Sequence, residues 1–391
     1  MIRFLIISTW LLLPSILGRT PFISALNPYL KKNLGLSEAL FSLAYSLGTF
    51  IASLGVPLVI CCLGQNFCLK KSFRIAYGTF IASFIGVFLT IKLSCPVFVK
   101  FIFLVSIYGG FRLSGQGLLP TFTRTYAASL FDDKCCAWIG MVHTTVIVCC
   151  ASTILYVLAR WNAFEQWHWV ICVQVMLLVV WLLFLPKNLP RVTSMQIHSL
   201  KRFRFVLKDF PLSFKIGLGI IAFQNLQSTA VAFHLSDFAR EQQIPLSTIF
   251  KVFLPISLSE LILNPLMAWL YNHSKTYTLF YSVLLDLMLF NFSITHLDTL
   301  WGMAAFIFAC ALVWSCSHIL SYSFPARILS VEQRAIGYAT FAGWVSFCSA
   351  MGPFVYSSLA HFFGCYGAVS QILLYINGFV LLSVYFVLKK L

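Results

Sequence analysis

Apolar runs of roughly 20 residues, separated by short polar breaks, recur from one end of this chain to the other. A run of that length matches the thickness of a bilayer's hydrocarbon core when coiled as a helix. Inside that core each backbone N–H and C=O must be bonded within the protein, so such runs fold as α-helices. Of the 391 residues, 60% are hydrophobic and only 10% are charged. This excludes an ordinary soluble enzyme, a disordered chain and a secreted disulfide scaffold. Twelve spans with short loops consume the length and leave no room for a sizeable extramembrane domain.

The runs predict helices at 4–26, 38–63, 72–92, 96–121, 135–158, 167–186, 212–236, 246–271, 277–295, 300–323, 335–360 and 366–388. Arg3 followed by apolar residues to Leu17 has the look of a signal peptide. Apolar character resumes after Arg19 and many spans follow, so the segment is read as the first transmembrane helix. The longest polar stretch, 187–211, lies near the midpoint and carries Lys187, Arg191, Lys201, Arg202, Arg204 and Lys208 against Asp209. It reads as a basic linker between an N-terminal bundle (1–186) and a C-terminal one (212–391).

The net charge is +16, from 27 Lys and Arg against 11 Asp and Glu. A basic soluble protein would suggest nucleic acid. Here the cations sit between apolar runs, where they act as cytoplasmic anchors, so no nucleic-acid partner is expected. With the linker inside, both termini are cytoplasmic. The expected setting is a monomer spanning the cytoplasmic membrane in contact with lipid. The 13 cysteines include the neighbours Cys61–Cys62, Cys135–Cys136 and Cys149–Cys150, with no metal-ligand spacing. No metal, cofactor or disulfide is assigned.

The halves are weakly similar. Leu36-Ser37-Glu38-Ala39-Leu40-Phe41 opens the second predicted helix, and Leu246-Ser247-Thr248-Ile249-Phe250-Lys251 opens the eighth. Asp133-Lys134-Cys135-Cys136-Ala137-Trp138-Ile139-Gly140 opens the fifth, and Glu332-Gln333-Arg334-Ala335-Ile336-Gly337 the eleventh. Parallel repeats of this kind place a cavity at their interface.

Several segments resemble the major facilitator superfamily, with the flavour of its monocarboxylate and oxalate:formate branch. Leu34-Gly35-Leu36-Ser37 with Phe41-Ser42-Leu43-Ala44-Tyr45-Ser46-Leu47-Gly48-Thr49 resembles that branch's first outer loop and second helix. Arg112-Leu113-Ser114-Gly115-Gln116-Gly117 is similar to the fourth-helix arginine and glycine motif. Ala232-Phe233-His234-Leu235 with Pro245-Leu246-Ser247 resembles the end of the seventh helix and its loop. Ala350-Met351-Gly352-Pro353 with Gly364-Cys365-Tyr366-Gly367 resembles the end of the eleventh. The resemblance implies an all-α polytopic fold of twelve transmembrane helices in two pseudo-symmetric six-helix bundles. The chain departs from the pattern in several places, among them the absent fifth-helix glycine/proline motif of antiporters and the lack of a Lys or Arg inside the eleventh helix. Gly64-Gln65-Asn66-Phe67-Cys68-Leu69-Lys70-Lys71 lacks the family's loop aspartate. The eighth helix carries Glu260 where oxalate-type relatives carry a cation. The branch's substrate is therefore not carried over.

An ionisable group at mid-membrane is a functional candidate by default. Arg112 lies equally far from Lys100 and Arg124, roughly 18 Å along an ideal helix from each. Gln116 follows one turn on. Arg112 either grips an anionic group by paired hydrogen bonds or pins helix packing, and the sequence leaves both open. Ser257, Glu260 and Asn264 form one polar stripe, and a desolvated glutamate there suits proton coupling. A fixed salt bridge, even to Arg112, is the bland alternative. Asp286 reads as a structural contact, and Arg19, placed late in the first helix, either reaches the cavity or, the favoured reading, snorkels outward. Tyr45, Thr49 and Ser53 mark the second helix, Gln224, Asn225, Gln227 and Ser228 the seventh, and Trp314, Ser317, His318 and Ser321 the tenth. Substrate binding is assigned to Arg112, Gln116, Gln224, His318 and Tyr45, and proton coupling to Glu260. His143 and His234 read as satisfied structural residues.

No nucleotide-binding loop or catalytic triad is present in the sequence, so an enzyme is not expected. The expectation is a secondary transporter of a small polar solute, an organic anion by preference, coupled to protons. A cationic or neutral solute held by Glu260 is one alternative, and a non-transporting sensor or scaffold another.

Overall fold

The computed structural model describes residues 2–63, 67–93, 95–120, 122–123, 133–160, 167–185, 191–192, 210–273, 276–329 and 331–389. The described chain is almost wholly helical. The first span is α1 (Ile2–Leu12), a 3-10 turn (Leu13–Gly18) and α2 (Thr20–Leu34). The next five are α3 (Glu38–Leu63), α4 (Leu69–Lys92), α5 (Val97–Arg112), α6 (Asp133–Arg160) and α7 (Trp167–Leu183). The seventh span is α8 (Leu212–Phe233), and the short α9 (Leu235–Glu241) follows it. The eighth combines α10 (Leu246–Lys251) and α11 (Phe253–His273). The last four are α12 (Thr276–Ile294), α13 (Leu300–Ile328), α14 (Val331–Phe363) and α15 (Tyr366–Lys389). The protein is an all-α polytopic membrane protein. Among the described residues, nine stretches are long and apolar enough to cross a bilayer, and Trp169–Leu183 and Phe280–Ile294 are shorter apolar helices.

Exposure agrees with that medium. Ile51, Leu183, Ile262 and Phe379 stand outward from their helices. Water would penalise so much exposed apolar surface, whereas lipid accepts it. The four segments matched between the halves all lie at helix starts, before α3 and at α6, α10 and α14. Across the halves, α3 packs on α14, α6 on α11 and α2 on α8. These three contacts frame the interface where a site can lie.

Two expectations need correction. The first span does not end near residue 26. Pro21 sits in the first turn of α2, where its missing N–H costs nothing, and Pro28 is carried inside the helix. The helix continues to Leu34 and stops at Gly35, whose φ of 65° is the left-handed cap that glycine tolerates. The seventh helix ends at Phe233 instead of 236, because His234 leaves the helical region (ψ 14°) and α9 starts afresh.

Most of the proposed linker 187–211, the loop residues 64–66 and Arg124 lie outside the described residues. Within it, Arg191–Val192 forms a two-residue strand paired antiparallel with Phe67–Cys68. This pairing joins the linker to the connection between the second and third spans.

Candidate functional site

Helix geometry is disturbed in two facing places. The first span is interrupted by the 3-10 turn at Leu13–Gly18, with Pro14 at its start. Opposite it, α5 loosens into a π-helical segment at Leu113–Leu118. The two meet at Gly18 and Gly115. A Cβ built on Gly115 would lie 2.6 Å from the Gly18 Cα, so only glycine allows this approach. Such π-bulges break the regular ladder and frequently mark functional positions.

Arg112 sits at the junction of α5 and the π segment and is only 4% exposed. Its Nη1 donates to Thr20 Oγ1 at 3.0 Å, and its guanidinium carbon lies 5.3 Å from the Tyr45 ring centre. Its Nε has no hydrogen-bond partner. Tyr45 in turn lies 4.3 Å from the Phe233 ring of α8 and 5.3 Å from that of Tyr108. Arg112 and Tyr45 are thus brought together, at a point where α2, α3, α5 and α8 converge. Gln116 is exposed, whereas Arg112 is buried, so the π segment turns it out of that packing.

Glu260 on α11 is 1% exposed, and neither carboxylate oxygen has a hydrogen-bond partner. The expected stripe is present and faces α6. Ser257 meets the Ser152 hydroxyl and donates toward the carbonyls of Val148 and Phe253. Asn264 Nδ2 donates to Thr145 Oγ1 at 3.3 Å, while Asn264 Oδ1 accepts nothing. Among the described residues no ion pair joins Glu260 to Arg112. The cation that acts on Glu260 is Arg19, through space and without a hydrogen bond to either oxygen.

Arg19 is the residue the sequence misplaced. It holds an extended conformation (ψ 148°) between the 3-10 turn and α2, in the middle of the first span. It is half-buried and is no outward-snorkelling end residue. The signal available in the sequence was Gly18-Arg19-Thr20-Pro21, a helix break with a cation in it.

The other polar candidates divide. Gln224 is fully buried, donates from Nε2 to the Val313 carbonyl at 2.7 Å and leaves Oε1 unpartnered. Asn225 reaches Ser317 on α13 at 3.3 Å. Gln227 belongs to a closed amide cluster inside the C-terminal half: its Nε2 donates to Asn377, and its Oε1 accepts from Asn291 and Asn377. Asp286 accepts from the Cys316 thiol at 3.4 Å, within that same half. The side chain of His318 lies outside the described residues. His143 is a satisfied structural residue, with Nε2 2.7 Å from Ser8 Oγ.

On the side opposite the linker, a charged cluster joins the halves. Lys31 of α2 donates to Asp237 of α9 at 2.8 Å and to Glu38 of α3 at 2.7 Å. Arg240 also reaches Asp237, at 3.0 Å. His234 Nδ1 lies 2.9 Å from Asp237 Oδ2, and its Nε2 lies 2.9 Å from the Pro353 carbonyl. Both ring nitrogens thus face oxygen atoms. Burial alone would raise the Asp237 pKa. The His234 hydrogen bond and the Lys31 ammonium outweigh it and hold the carboxylate well below its ordinary value. Glu38, His234 and Asp237 are close enough to share a metal ion, but the Lys31 ammonium already bonds both carboxylates. Below the cluster, Ser24 and Asn27 donate to the Phe233 carbonyl at 3.1 and 3.3 Å. These bonds tie the halves together on that side.

No protein-family model and no curated protein sequence matches the chain. Solved structures do. The nucleoside transporter NupG aligns with a TM-score of 0.72 at 12% identity, covering 99% of each chain. XylE from E. coli, a major facilitator superfamily proton:xylose symporter, aligns in a partially occluded inward open conformation. Its TM-score is 0.68 at 16% identity, over 99% of this chain and 98% of that one. A POT family transporter in complex with 5-aminolevulinic acid aligns with a TM-score of 0.71 at 13% identity, over 99% and 96%. The chain therefore has the major facilitator fold. The neighbours are of several kinds and single out no monocarboxylate or oxalate branch.

Proposed function

We propose that this protein is a secondary active transporter of a small polar solute with an anionic group, working by alternating access and coupled to protons. The observation that carries the reading is Glu260. A carboxylate with 1% exposure and no hydrogen bond is too costly to keep for packing alone. It lies where the two halves meet, at mid-span, and can exchange a proton or a ligand when they separate. Arg112 and Arg19, both in the N-terminal half, supply the positive charge that favours an anionic solute. In this reading the contacts that join the halves on the far side belong to one end state of the cycle. In this reading the protein is a monomer in the cytoplasmic membrane with both termini inside.

A cationic or neutral solute is the second reading, favoured by the two unpartnered oxygens of Glu260. Uptake of labelled organic anions and amines into proteoliposomes, with and without an inward proton gradient, separates the two. The expected result is gradient-driven anion uptake that Arg112→Ala abolishes without changing the melting profile and that Glu260→Gln uncouples from protons. Undiminished uptake by Arg112→Ala would remove that arginine from the site. Uptake of amines alone would move the assignment to Glu260.

A further inference from the structure

Two residues one turn apart on α11 hold buried oxygens that no described residue donates to. Glu260 Oε1 and Oε2 and Asn264 Oδ1 have no hydrogen-bond partner, and their residues are 1% and 2% exposed. At an i, i+4 spacing the two side chains project from one face of the helix, with Cβ atoms about 5–6 Å apart. That face meets α6, and contacts on both sides of Glu260 fix the register. Asn264 Nδ2 donates to Thr145 Oγ1 at 3.3 Å, and Ser257 Oγ meets Ser152 Oγ and the Val148 carbonyl. The two helices therefore run antiparallel here, and Glu260 falls at the level of Val148 and Cys149. Thr145, Ser152, Ser257, Glu260 and Asn264 thus bring side-chain oxygens to one narrow seam between the halves. Pro265, next after Asn264, has no N–H for the Leu261 carbonyl, so the helical ladder is interrupted beside the two residues.

We propose that this seam binds a monovalent metal cation of sodium's size, with Glu260 and Asn264 as its principal ligands and the Thr145 and Ser152 hydroxyls completing the set from α6. This rests on the transporter reading above and names a second coupling ion for the same carboxylate. A carboxylate, an amide carbonyl and hydroxyls are hard donors, which suit a hard cation. A proton on Glu260 supplies one O–H to three unsatisfied oxygens, whereas a metal ion contacts several at once. Charge sets the valence. Glu260 is the only acid along α11 and in the facing stretch 145–152, so one positive charge matches it and a divalent ion would leave more charge uncompensated in the membrane. Size follows from the seam, which the side-chain contacts at Thr145 and Ser152 draw close on either side of Glu260. The titratable neighbours of Glu260 are Cys149 of α6, Cys310 of α13 and Arg19 of the first span. None of them donates to either Glu260 oxygen, so both stay available as ligands. Because the ligands come from α6 and α11, the ion bridges the halves and is released when they part, with the proton as its competitor for Glu260.

The test uses the whole protein in detergent at constant ionic strength, with sodium chloride exchanged for potassium or choline chloride. The melting temperature is followed against ion concentration at about pH 8 and about pH 6. Sodium is expected to raise it in a saturating way that choline does not reproduce, and at ~10-fold lower concentration than potassium. More sodium is expected to be needed at the lower pH. Glu260→Gln and Asn264→Leu keep side-chain size and are expected to raise the sodium requirement by ~10-fold or more, while Asn264→Asp keeps the oxygen and retains binding. Ion selectivity in the unaltered protein decides the matter even if the variants fail to fold. Equal shifts from sodium, potassium and choline would overturn the site, as would a sodium response that survives Glu260→Gln unchanged. Uptake of an organic anion into sodium-free proteoliposomes, driven by a proton gradient, would then show that the transporter reading survives.

Discussion

The two halves share a layout and solve their interiors differently. The N-terminal half is held by close backbone approach and stacked rings. Gly18 meets Gly115, Gly48 meets Gly109, and Phe80, Phe84 and Phe111 pack on one another. The C-terminal half also has a tight glycine, Gly352 against the Leu226 carbonyl. Its distinctive device is the amide cluster that ties α8, α12, α14 and α15 through Gln227, Asn291, Tyr356 and Asn377. The difference extends to charge. Mid-span arginines lie in the first half, and the buried acids Glu260 and Asp286 in the second. Among the described residues, no ion pair joins Arg112 or Glu260 to an opposite charge of its own half.

The largest break in this comparison is expected at the glycine contact. Gly115→Leu forces a side chain into the Gly18 backbone and is expected to destabilise the protein by about 3 kcal/mol or prevent folding. Gly219→Ala in α8 meets open space and should change stability by less than about 1 kcal/mol. Thermal unfolding in detergent measures both. Similar effects at the two positions would show that the π segment does not depend on the close approach.

Next comes the amide cluster. Gln227→Leu removes the acceptor shared by Asn291 and Asn377 and leaves their amide donors buried. A loss of about 1–2 kcal/mol is expected, smaller than a soluble core would show because other partners are found within the membrane. If the cluster serves packing, as argued, solute affinity should stay at the wild-type level. A large affinity change at unchanged stability would bring Gln227 into the solute site.

How much of this was legible in the sequence follows from which interactions are local. The spans were legible because a bilayer imposes length and apolarity on each one separately. Arg112 and Glu260 stood out because a charge inside an apolar run needs no partner to be noticed. Arg19 was placed late because the first span was read as ending at 26, although the helix runs on past Pro21 and Pro28 to Leu34. In the fold, the first proline restarts the helix and the second is carried within it. The grouping of Gln227 with Asn291 and Asn377, and of Lys31 with Asp237, was invisible, since those partners lie far apart in sequence. Gln116 was assigned by helical spacing, and a π segment changes that spacing.

The far-side cluster gives a smaller effect that sharpens the comparison between closed and open interfaces. Asp237 accepts from Lys31, His234 and Arg240 at once. Asp237→Asn is expected to shift the open-to-closed ratio ~10-fold, about 1.4 kcal/mol. Faster hydrogen exchange in 235–241 is the readout, together with faster exchange in 24–34. Unchanged exchange in both segments would mean that the Ser24 and Asn27 bonds to the Phe233 carbonyl suffice to hold that side.

The smallest expected effect is that of mild acid on the same cluster. The folded-state pKa of Asp237 is depressed, so its stabilising contribution is complete above its unfolded value of about 3.9. It is lost only as pH falls further, through the folded value. Between about pH 7 and pH 5 the Asp237 bonds should therefore hold, and exchange in 235–241, corrected for intrinsic rates, should stay level. If the proposed proton coupling through Glu260 holds, solute uptake should respond to a pH gradient while the far-side cluster does not. Opening of 235–241 on acidification to about pH 5 would contradict the depressed carboxylate. It would move the pH response from the interface between the halves to the cluster that closes it.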